Sequence, residues 1–164
     1  MTGVQTCALP ICSDITKHPV PDASKQLAAT AKVIVSSNLP RALTSVQALG
    51  LKPALVDGLF REAPLPYGHW RLPRLSPFVW AFILRILWLW GYSHGVESVG
   101  TAKRRASTAA QRLQSLASEG PVLLLGHGFM NRMIARQLEA DGWTRQTGNG
   151  SQYWSATVYQ NDSI

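Results

Sequence analysis

The sequence predicts an α/β fold, a three-layer sandwich in which helices cover both faces of a mostly parallel sheet. Three observations predict it. Helical and extended patterns alternate along the chain as helix, strand, helix, strand, helix, helix, strand, helix, strand. The run Val122-Leu123-Leu124-Leu125 is apolar without a break, as suits a strand buried on both sides. Two strand-like segments end in Ser36-Ser37 and Gly126-His127-Gly128, and each leads straight into a helical pattern. In open sheets of this kind, ligands bind beyond the carboxyl ends of the strands.

The elements follow in order. Residues 13–21, SDITKHPVP, hold two prolines and no period, and read as loop. DASKQLAATAK is a short helix with Asp22 or Ser24 as its N-cap. KVIVSS contains a compact β-branched strand over 32–36. NLPRALTSVQALG is a helix: Pro40 suits its first turn, Gly50 ends it, and Leu39, Leu43, Val46 and Leu49 give one apolar face. PALVD is a second short strand. GLFREAPLPYGHWRLPRLSP is irregular and carries four prolines; loops of that length usually serve function.

SPFVWAFILRILWLWGY is a helix of about four turns, apolar nearly all round. It is shorter than the ~20 residues a bilayer span needs, and Arg85 interrupts it. Its tryptophans, Trp80, Trp88 and Trp90, suit either a lid helix over a pocket or weak contact with a membrane surface. GVESVGTAKRRASTAAQRLQSLASEG is a long amphipathic helix ended by Gly120, with Val99, Ala102, Ala106, Ala109 and Leu113 facing inward. PVLLLG is a buried strand, FMNRMIARQLEADG a helix, and QYWSATVY a last strand.

With 164 residues, the chain can build one domain with a real core. A composition 46% hydrophobic and 15% charged is globular rather than disordered. Sixteen Lys and Arg against nine Asp and Glu give a net charge of +7, which favours anionic partners. The basic residues are scattered, without the block or aromatic ladder that would point to nucleic acid. Cys7 and Cys12 have no metal-binding spacing, so no metal site and no cofactor is expected.

The opening MTGVQTCALPIC lacks the basic start of a signal peptide. From Met1 to Ile11 it is similar, position by position, to the translation of a common short-read sequencing adapter. Residues 1–12 are therefore expected to be non-native and outside the fold. Residues 13–164 would form a single, partial domain, with 63–95 as a loop plus a Trp-rich capping helix.

The two strand ends carry the chemistry. Helix starts offer free N–H groups and a partial positive charge, a ready anion site. Glycines allow close backbone approach or unusual φ. With the guanidinium of Arg41 and the imidazole of His127 added, the natural guest is a phosphoryl group. Glu62, on the long loop, can reach over it as a proton donor, provided burial keeps its carboxyl protonated. Each residue also has a plainer reading: His127 as a hydrogen-bonded core histidine, Arg41 as a surface ion pair, Glu62 as a solvated carboxylate. His18, His69 and His94 read as loop residues.

Taken together, the segments resemble a known family. VIVSSNLPRALTSVQALGL resembles the Ser-Ser-x-Leu-x-Arg-Ala-x-x-Thr segment of the histidine phosphatase superfamily, the phosphoglycerate mutase-like proteins. LFREAPLP is similar to the loop bearing their catalytic acid, and GVES and LLLGHGFMNRMIARQL to their later motifs. The resemblance covers residues ~32–140 in family order. It implies phosphomonoester hydrolysis through a phosphohistidine. Arg41, His127 and Gly128 would bind the substrate phosphate, and Glu62 and His127 would be catalytic. The implied substrate is a phosphorylated small molecule or a phosphoprotein, and the implied location cytoplasmic.

The sequence departs from that family at one place. The family's nucleophile lies in an Arg-His-Gly triplet ending the first strand, and no Arg-His-Gly occurs here. The expected first strand is therefore taken as missing. The sheet should have a gap, and the chain should be an inactive fragment of an enzyme. A non-enzymatic phosphate-binding or membrane-associated remnant is the alternative. An α/β-hydrolase fits poorly, because no Gly-x-Ser-x-Gly elbow follows the His-Gly turn.

Overall fold

The computed structural model describes residues 3–9, 19–67, 75–147 and 154–161. The chain divides into two compact units, residues 1–62 with 106–164, and residues 63–105.

The first unit holds the sheet. Its strands are β1 (Gly3–Leu9), β2 (Val33–Ser37), β3 (Leu55–Asp57), β4 (Val122–His127), β5 (Thr144–Thr147) and β6 (Ala156–Gln160). Their order across the sheet is β3-β2-β4-β1-β6-β5. The first four in that order are parallel, β6 runs antiparallel to β1, and β5 runs antiparallel to β6 at the edge. The helices are α1 (Asp22–Ala29), α2 (Pro40–Ala48), α3 (Pro77–Leu89), α4 (Val99–Ala117) and α5 (Gly128–Ala140). Of these α3 lies in the second unit, and α4 crosses from the second unit into the first.

Strand alternation produces the layers. On β4, Val122 and Leu124 join one core with Ala109, Leu113 and Ala117 of α4 and Met130, Ile134 and Leu138 of α5. Leu123 and Leu125 point the other way, into a core with Ala28 of α1, Val46 of α2 and Trp154. Side chains alternate faces along a strand, so an unbroken apolar run feeds both cores. This is the three-layer arrangement the sequence predicts. Ala102, Ala106, Ala109 and Leu113 of α4 are buried as expected, whereas Val99 is half-exposed. Gly50 ends α2 with φ +70, a conformation that favours glycine.

Three expectations are corrected. Residues 3–9, expected to lie outside the fold, form β1, and no gap is left between β4 and β6. Ladder pairing draws on backbone N–H and C=O groups, and Val, Thr and Cys tolerate an extended chain, so Gly-Val-Gln-Thr-Cys-Ala-Leu can fill the place. The strand β5 has no counterpart in the sequence reading, because its residues, Thr-Arg-Gln-Thr, are polar and exposed and show no hydrophobic alternation. At the start of α1, the N-cap is Pro21 with no side-chain cap; Ser24 instead donates its hydroxyl to the Trp154 carbonyl. His18, His69 and most of the 13–21 loop lie outside the described residues.

The second unit is built around α3. Ser76 caps it, accepting the Val79 N–H at 3.4 Å. Trp88 is fully buried and donates its indole N–H to the Glu97 carbonyl at 2.8 Å. Arg85 donates to the Ala63 carbonyl at 2.9 Å, with its guanidinium 5.1 Å from the centre of the Trp88 ring. Glu97 forms a two-point ion pair with Arg105. His94 is exposed, with its ring 6.3 and 6.4 Å from those of Tyr92 and Tyr67. No helix among the described residues is long and apolar enough to cross a membrane.

Candidate functional site

β2 and β4 pair in parallel, with Ser36 opposite Leu125, so their carboxyl ends lie side by side. Ser36, Ser37 and His127 are all fully buried there. The Ser37 hydroxyl is 2.8 Å from Nε2 of His127. The same oxygen accepts the Leu39 N–H at 3.1 Å, at the start of α2, where Leu39 itself has no side chain able to cap. Ser36 turns its hydroxyl to the Ser37 carbonyl at 3.0 Å. One serine thus fixes both a helix start and an imidazole.

His127 is held neutral. Its pKa falls from 6.5 to about 4, first through burial, then through the positive charges of Arg41 and Arg61. A neutral imidazole has one N–H and one bare nitrogen, and either tautomer satisfies the contact with Ser37. Its other nitrogen, Nδ1, has no hydrogen-bond partner among the described residues.

The glycine before the histidine has a local cause. A Cβ at Gly126 would run into the side-chain amide of Asn131, one turn into α5. Gly126 is not among the residues with positive φ, so close approach rather than unusual φ demands glycine there.

At the start of α5, His127 is the N-cap residue yet makes no capping bond. Glu62 arrives instead from the other part of the unit. Its two carboxylate oxygens accept the Phe129 N–H at 3.1 Å and the Met130 N–H at 3.0 Å. Charge-assisted bonds at a helix N-terminus, on the favourable side of its dipole, make this a strong local anchor. Two amides expected to face an incoming anion therefore hold a protein carboxylate.

The structure thus brings Glu62, His127 and Gly128 together at one helix start. Arg41, half-buried in the first turn of α2, is near enough to act on His127 electrostatically. Two participants are absent from the sequence reading: the direct bond from Ser37, and the charge of Arg61. The sequence offers no periodic signal for Arg61, which is exposed and stands beside Glu62 in an irregular segment. On the neighbouring strand, Leu9 is the register partner of His127.

Residues 22–160 match the histidine phosphatase superfamily (branch 1). The chain belongs to this superfamily. Solved structures with the same fold include the native mycobacterial glucosyl-3-phosphoglycerate phosphatase, at TM-score 0.63 and 20% identity, over 96% of this chain and 89% of that one. The product of open reading frame Rv3214 from Mycobacterium tuberculosis aligns at TM-score 0.62 and 18% identity, over 95% of this chain and 89% of that one. TTHB049 from Thermus thermophilus aligns at 0.57 and 17%, over 95% and 92%. At such identities the likeness is one of fold. A search of curated proteins gives no significant match. The fold is that of histidine phosphatase superfamily structures.

Proposed function

We propose that the site at the ends of β2 and β4 binds the phosphoryl group of a phosphorylated small molecule, and that this chain does not turn it over. Arg41 supplies positive charge near His127, and His127 a neutral imidazole beside the phosphate. In the complete reaction a histidine nitrogen attacks phosphorus, the bond from phosphorus to the leaving oxygen breaks, and that oxygen takes a proton, which Glu62 can give only when it is protonated and released from the Phe129 and Met130 amides. Water then attacks the phosphohistidine, with Glu62 taking its proton. Likeness to a glucosyl-3-phosphoglycerate phosphatase supports a small phosphorylated metabolite over a phosphoprotein.

The observation that carries the inactive reading is the register. β1 occupies the strand position beside β4, and the register partner of His127 is a leucine, Leu9, not a histidine. The test is p-nitrophenyl phosphate hydrolysis. The chain should give neither burst nor turnover. The triple substitution Ala8→Arg, Leu9→His, Pro10→Gly should raise turnover on the order of 10³-fold, by supplying the nucleophile. His127→Ala in that background should remove the gain. A burst from the unaltered chain, abolished by His127→Ala, would show that another group is the nucleophile.

A further inference from the structure

α3 turns its apolar side to solvent. Phe78, Phe82 and Trp90 are 75%, 68% and 86% exposed, and Val79, Ile86 and Leu89 are exposed beside them. At 100° per residue these six positions share one arc of about 120° along a helix about 20 Å long. Not one of them is polar. The only charged side chain of the helix, Arg85, is turned to the Ala63 carbonyl and the Trp88 ring. The three aromatics alone leave on the order of 400 Å² of apolar surface in water. That is in the range of the largest apolar patch on a typical monomer, and such patches are often functional.

Charge selects the partner. Residues 63–105 contain Arg71, Arg74, Arg85, Lys103, Arg104 and Arg105 against a single acid, Glu97, which is paired with Arg105. A second copy would bring the same excess of positive charge to the contact, on a chain of net charge +7. An anionic lipid surface offers opposite charge and an apolar layer into which Phe78, Phe82 and Trp90 can sink. We propose that α3 docks flat on an anionic bilayer, with its Phe78–Phe82–Trp90 face in the headgroup region. Docking of this kind needs no spanning segment.

The test is co-sedimentation of the full chain with vesicles. It should pellet with mixed phosphatidylglycerol and phosphatidylcholine vesicles, not with phosphatidylcholine alone, and release as salt rises. The double substitution Phe78→Ser, Phe82→Ser should lower partitioning at least tenfold. Both side chains are mostly exposed, so the thermal melt should not move; that control separates lost docking from lost fold. Equal pelleting of variant and parent, or pelleting indifferent to lipid charge, would overturn the proposal. So would a dimer in sedimentation velocity without vesicles, dissolved by the same substitutions, which would assign the face to a second copy.

Discussion

β4 and β1 lie side by side in the sheet, paired in parallel from Val4 against Val122 to Leu9 against His127. β4 is buried at every position and ends in the glycine and histidine on which the site is built. β1, Gly-Val-Gln-Thr-Cys-Ala-Leu, makes an equally regular ladder and ends in an aliphatic residue, Leu9. A place in a sheet asks for backbone pairing and a tolerable side chain; a place in an active site asks for one particular group. Under the proposed function, a strand can therefore fill its place in the sheet without supplying the group the reaction needs.

The largest test of this contrast is pH. The unfolded His127 titrates at 6.5 and the folded one at about 4, so between these values the unfolded chain binds more protons. Stability is full above pH 6.5 and falls as pH drops toward 4, by about 3 kcal/mol in all from this residue. Urea melts at pH 7 and 4.5 should show the fall in the parent and a much smaller one in His127→Gln. Equal slopes would mean that the imidazole is not buried neutral.

Next comes Gly126→Ala, which sets a methyl group against the Asn131 amide and should cost about 2 kcal/mol. Trimming the obstacle with Asn131→Ala should recover part of the loss in a double-mutant cycle. Glu62→Ala, which leaves two amides of α5 without their carboxylate, should cost about 1–2 kcal/mol, and Glu62→Gln less, since one acceptor oxygen is kept. The smallest effect belongs to the arginines. Arg41→Gln should raise the His127 pKa measured by NMR, and Arg61→Gln should raise it less. Neither should restore the ordinary value, because burial is the leading cause.

Much of this is legible in the residues. The apolar run at 122–125 announces a strand buried on both faces, and Pro40 and Gly50 mark the limits of α2. Ser36-Ser37 and Gly126-His127 identify the two strand ends that meet. What escapes is of two kinds. β5 is held by backbone bonds to a neighbouring strand, which no hydrophobic pattern records, and β1 lies in a segment set aside for its likeness to a translated adapter. The Glu62 anchor and the Arg61 charge depend on where an irregular segment returns to the sheet. The sequence suggests Glu62 for its chemistry but does not reveal that α5 already holds its carboxylate.

The central claim is that the end of β4 keeps an anion site although β1 supplies no nucleophile. It is tested most directly by titrating inorganic phosphate into the chain while following the His127 ring by NMR. Saturable shifts, lost in Arg41→Gln, are the predicted result. A ring that does not respond to phosphate, or responds equally without Arg41, would contradict the account.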